Sequence, residues 1–78
     1  MHEGQAKFYE YMIDKMEEER KEEGIMLLKE SFERQEQGTF TTEYLDDISV
    51  KLLALIKPGF KEEVKNIFEQ FGKMHISK

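Results

Sequence analysis

The densest polar run in the chain, Glu17-Glu18-Glu19-Arg20-Lys21-Glu22-Glu23, is the first place to look for chemistry. On a helix, Glu18 with Glu22, or Glu19 with Glu23, would set two carboxylates on one face. Such a pair could hold a divalent ion or handle a phosphoryl group. Oxygen sites of that kind recruit His or further oxygen ligands from facing helices, and no His lies near this run. Lys21 stands four residues after Glu17, an ion pair of the favourable orientation. The run therefore reads first as a solvated helix face, second as a surface for a basic partner, and last as a metal site. Asp46 and Asp47 fall in the first turns of a later helix, where the positive end of the dipole favours acids. His2 and His75 are the only histidines, and both lie in segments expected to fray, whereas a general base needs a positioned imidazole. Ser31, Ser49 and Ser77 have no identifiable histidine partner, and neither a G-x-S-x-G elbow nor a glycine-rich phosphate loop is present. No catalytic, cofactor-binding or metal-ligating residue is assigned, and the chain is expected not to be an enzyme.

The elements that must position these residues are legible best between Gly38 and Pro58. Thr41 is a capping residue whose hydroxyl can accept a first-turn N–H. Phe40 and Leu45 have hydrophobic-staple spacing around it. The spacing of Leu45, Ile48, Leu52 and Leu55 predicts a helix near 42 to 57, stopped by Pro58. Val50, Leu53 and Ile56 widen its apolar arc, which places this helix at the centre of a bundle. Pro58 and Gly59 make a tight connection to a third helix with Phe60, Val64, Ile67, Phe68 and Phe71 on its apolar face. Gly72 is its expected C′ stop.

Residues 5 to 37 contain no proline, a single glycine and many good helix formers, which predicts one long helix. Its first half carries an apolar stripe, Phe8, Tyr9, Met12, Ile13 and Met16; its second half carries Ile25, Leu28 and Phe32. At about 100° per residue the second stripe is rotated by roughly a third of a turn from the first. Either the helix bends or breaks at Gly24, whose flexibility makes it the weak point, or it runs straight and gives its halves to different neighbours. A continuous helix with a bend is the favoured reading. The expected fold class is all-α, a small bundle of three helices, or four if the first breaks. The chain makes one domain, 1 to 78, with 1–4 and 73–78 frayed and no internal repeat.

A chain of 78 residues has a limited core, and without cysteine it has no disulfide to add stability, which makes oligomerisation an option. Phe8, Tyr9, Met12, Ile13 and Met16 are the candidate self-association surface, since Tyr, Phe and Met are enriched at interfaces. A homodimer is the expected state. The net charge of −5 opposes binding to phosphate backbones and anionic lipid. The longest apolar run is Leu52 to Ile56. That is far too short to span a bilayer as a helix. The expectation is thus a cytoplasmic protein that binds neither nucleic acid nor membrane and needs no cofactor.

Residues 25 to 56 loosely resemble the helical hairpin of the small aspartyl-phosphate phosphatases of spore-forming bacteria, whose signature reads S-Q-E-L-D. Only Ser49 and Leu52 match it, and Leu53 stands where the essential aspartate belongs, so the resemblance argues against that activity. The expected function is a non-enzymatic protein–protein interaction or regulatory module that self-associates. Two alternatives of other classes remain: an accessory enzyme using the helix carboxylates, and an acidic decoy for a basic, nucleic-acid-binding protein.

Overall fold

The computed structural model describes residues 3–76, an all-α bundle of four helices. α1 spans Glu3–Lys15, α2 Lys21–Gln37, α3 Thr42–Leu53 and α4 Lys61–His75, with short 3-10 turns at Glu18–Arg20 and Pro58–Phe60. The favoured continuity of the first helix is not observed: it breaks, giving four helices, and the break falls upstream of Gly24. Glu17 is extended (φ −65°, ψ 138°) and a 3-10 turn follows it. Helix propensity favours continuity through the Glu-rich run. What overrides it is an antiparallel bridge between Met16 and Ile56, in which the Glu17 N–H donates to the Leu55 carbonyl (3.0 Å) and the Lys57 N–H to the Lys15 carbonyl (2.9 Å). The break lets each rotated stripe reach the core on its own helix.

The same bridge ends α3 at Leu53, earlier than its apolar spacing predicts. Leu55 and Ile56 leave the helix to pair with the first connection. Lys57 is extended (φ −56°, ψ 136°). A residue before proline is pushed toward that conformation. The chain thus folds as two versions of one unit: helix, bridge residue, 3-10 turn, helix. Met16 and Ile56 take equivalent places, and Lys21-Glu22-Glu23 and Lys61-Glu62-Glu63 open the second helix of each unit. The repetition is one of geometry, with almost no identity to reveal it in the sequence.

The expected start of α3 is observed. Thr41 is extended and its Oγ1 accepts the Tyr44 N–H at 3.1 Å, while Phe40 and Leu45 are both buried in the core. Ahead of it, Gly38 closes α2 in the left-handed region (φ 76°), where a residue without Cβ is unstrained. α3 packs between α2 and α4. With the residues just beyond it, it gives the core Leu45, Ile48, Leu52, Leu55 and Ile56. Its buried arc is narrower than expected, for Val50 is 70% exposed. Phe8, Met12 and Met16 come to the core from α1 and its bridge residue, Leu28 and Phe32 from α2, and Val64 and Phe68 from α4.

Two glycines serve differently from the sequence reading. Gly24 lies inside α2, buried, where a Cβ would collide with the Sδ and Cε atoms of Met16. Gly72 lies inside α4, which continues to His75, and a Cβ there would collide with the Leu45 Cδ1 and come within 3.2 Å of its Cγ. Both mark close helix approaches rather than a hinge and a stop. Residues 3–4 and 73–75, expected to fray, are helical; His2 and Ser77 lie outside the described residues.

Alanine at either glycine gains about 1 kcal/mol of helix propensity but overpacks the core by about 1–3 kcal/mol. Gly72→Ala is expected to be the worse of the two, because Leu45 clashes close to its branch point whereas Met16 meets Gly24 with its flexible end. Gly72→Ala should lower the melting temperature by roughly 4–8 °C for each net kcal/mol lost. A melting temperature equal to or above that of the native chain would show that α3 and α4 do not approach this closely.

Candidate interaction surface

The stripe expected to self-associate lies inside the single chain. Phe8, Met12 and Met16 are buried, and Tyr9 and Ile13 pack half-buried against the same cluster. The break after Lys15 turns α1 back along its own bundle, so Phe8, Met12 and Met16 cover the core, while Tyr9 and Ile13 remain partly exposed. Its aromatic edge fills the seam with α4: Phe8 stacks on Phe71 at 4.0 Å between centroids and lies 5.8 Å from Phe68.

The carboxylate run is divided by the same break. With Glu17 extended and Glu18–Arg20 in a 3-10 turn, Glu18 and Glu19 no longer share a helical face with Glu22 and Glu23. Lys21 pairs with Glu18 (2.9 Å) instead of Glu17 and holds that carboxyl below its usual range by hydrogen bonding and charge. Arg20 pairs with Glu23 at 3.4 Å and also donates to the Ala54 carbonyl, tying the two connections together. Asp47 pairs with Lys51 at 3.1 Å on the outer face of α3. Among the described residues no group of three or more His, Asp or Glu side chains converges as ion ligands would. The Ser31 and Ser49 hydroxyls donate to the carbonyls of Leu28 (2.7 Å) and Asp46 (2.9 Å), so each serves its own helix. Among the described residues no helix is long and apolar enough to cross a membrane.

Sequence reasoning missed two features. The first is an amide pair at the end of the bundle: the Gln5 Nε2 donates to the Gln35 Oε1 at 2.8 Å, beside a cleft of about 210 Å³ lined by Gln5, Gln35, Glu36 and His75. Its only early signal was a polar residue, Gln5, in register with Phe8 and Met12. The second is a row along α4 and the turn residue that leads into it. Phe60, Ile67 and Met74 recur at heptad spacing. Two turns of 3.6 residues nearly match that spacing, so Ile67 and Met74 stand close to one line along α4, with Phe60, the last residue of the 3-10 turn, at its entry. Val64, Phe68 and Gly72 face the core, and the row lies at the edge of that buried arc, with Phe60 37%, Ile67 38% and Met74 80% exposed. Met26 and Val50, the other large apolar side chains this exposed, stand singly on α2 and α3. The sequence reading counted Phe60 and Ile67 as core and left Met74 in a frayed tail, which concealed the row.

The rim of the row is polar and ordered. The Lys15 ammonium lies 4.6 Å from the Phe60 ring centroid and 5.6 Å from that of Tyr11. Both distances suit a cation–π attraction. The Tyr11 hydroxyl donates to the Glu63 carboxylate between Phe60 and Ile67. Burial, then that hydrogen bond, pushes the Tyr11 phenol up from 10.0 to about 12. Burial and a hydrogen bond to Glu30 raise Tyr44 as well. No family model, curated protein or solved structure matches the chain.

The fold favours the neutral Tyr11 phenol, so its contribution to stability is complete below pH 10 and is lost as pH rises from there toward 12. Phenolate absorbance should show one tyrosine midpoint moving part of the way back toward 10 in Glu63→Gln. An unmoved midpoint would mean that Glu63 does not hold the Tyr11 hydroxyl.

Proposed function

We propose that the protein is a non-enzymatic protein–protein interaction module whose recognition surface is the α4 row. The observation that carries this reading is the heptad succession of three exposed apolar side chains, Phe60 at the entry to α4 and Ile67 and Met74 along it. A chain this short has few apolar side chains to spare, and aromatic and methionine side chains inside a polar rim are what protein interfaces use. Fixed helical geometry also lowers the ordering cost of binding. The carboxylates offered by the enzyme alternative are spread over separate elements, the first connection, the start of α2 and the outer face of α3.

A photo-crosslinking residue placed at position 67 in cells tests the proposal, with position 26 as the control. A discrete protein adduct at 67, absent at 26 and abolished by Met74→Lys, is the expected result. Equal labelling at both positions would overturn it. Millimolar Mg²⁺ or Mn²⁺ is expected to leave the melting temperature unchanged; a rise, by linkage, would restore a carboxylate site.

A further inference from the structure

We infer that the occupant of the α4 row is a second copy of this chain, with the two α4 helices antiparallel about a twofold axis at Ile67. This rests on the interaction reading above and names its partner. Three observations carry it.

The first is charge. The protein has a net charge of −5, which opposes self-association over most of its surface. α4 is the exception. Its three lysines, Lys61, Lys65 and Lys73, balance its three glutamates, Glu62, Glu63 and Glu69, whereas α1, α2 and α3 each carry more acids than bases. Of the four helices only α4 can meet its own image without a net like-charge cost.

The second is register. Phe60 and Met74 are equidistant from Ile67. A twofold axis there sets Ile67 on its counterpart and each Phe60 on the other copy's Met74, a favourable thioether–aromatic contact. The third is polarity along the helix. The first turn holds Glu62 and Glu63 and the last turn holds Lys73 and His75. The antiparallel arrangement sets the Gln70 amide of one copy near the Glu63 carboxylate of the other, twice over. A parallel pair would set Glu63 on Glu63.

A single helix pair lies at the low end of interface size, below about 1,200 Å² in total, where weak and transient association is the rule, so a dissociation constant on the order of 100 µM is expected. Sedimentation equilibrium from 5 µM to 1 mM, at ~20 mM salt, is the test. The native chain should pass from monomer to dimer. Ile67→Lys should remain monomeric, and so should Met74→Lys, whose side chain is too exposed to matter for folding. Gln70→Glu should weaken pairing severalfold, because it sets two carboxylates together at both symmetric rim contacts. Adding Glu63→Gln to it should restore pairing, a rescue that only a self-complementary antiparallel contact predicts. A monomer at 1 mM overturns the self-pairing, and a crosslink from position 67 to a different protein would then leave the interaction reading standing. A dimer indifferent to Ile67→Lys and Met74→Lys overturns this surface, and failure of the rescue overturns the antiparallel register.

Discussion

The interaction on which the rest of the structure depends is the pair of backbone hydrogen bonds that joins the two connections, Glu17 N–H to Leu55 and Lys57 N–H to Lys15. Each helical hairpin is too small to bury its apolar face alone. Joined at their connections, the hairpins present Met16 and Ile56 to a common interior, and both side chains are buried. The bridge also stops α1 and α3 before their sequence patterns end and directs α2 and α4 back along them. Arg20, by donating to the Ala54 carbonyl, adds a side-chain tie at the same junction.

Much of this was legible locally, and the limits are instructive. Thr41, Phe40 and Leu45 act as their types and spacing predict, because a cap and a staple are decided within one turn. The rotation between the stripes of residues 8–16 and 25–32 was also legible and left two outcomes, a bend or break, or a straight helix serving two neighbours. The place of the break was not legible, since it depends on Leu55 and Ile56, which are remote in sequence. Gly24 drew the break toward itself as the least helical residue of the region. It is glycine because the Met16 thioether packs against its backbone, a contact that no local pattern encodes. Gly72 misled in the same way, its place being set by Leu45.

The place of the break also bears on the expected surface. A continuous first helix must export one of its stripes, which made Phe8, Tyr9, Met12, Ile13 and Met16 an obvious interface. Once the chain turns at Glu17, that stripe becomes the side of the core that α4 needs, and Phe8 meets Phe68 and Phe71. The apolar surplus then passes to α4. Its buried arc, Val64, Phe68 and Gly72, is filled by the core, and the row on its edge is what the interior cannot accommodate. Heptad spacing in that row was present in the sequence; what hid it was the assumption that Gly72 ended the helix.

Lys15 shows why fold and surface are not separable here. Its backbone carbonyl accepts one of the two bridge hydrogen bonds, and its ammonium lies over the Phe60 ring at the start of the row. The geometry that closes the core thereby sets the height and tilt of the first row residue. Tyr11, one turn earlier on α1, holds Glu63 one turn farther along α4. Two successive turns of α1 thus brace the N-terminal half of the row from the side. Its C-terminal half is braced more lightly, by Phe71 between Phe8 and the His75 ring, and Met74 beyond it is largely exposed. The row is therefore rigid at Phe60 and adaptable at Met74. In an antiparallel contact about Ile67, the rigid end of each helix meets the adaptable end of the other, a pairing that suits an unbranched thioether closing around a fixed ring.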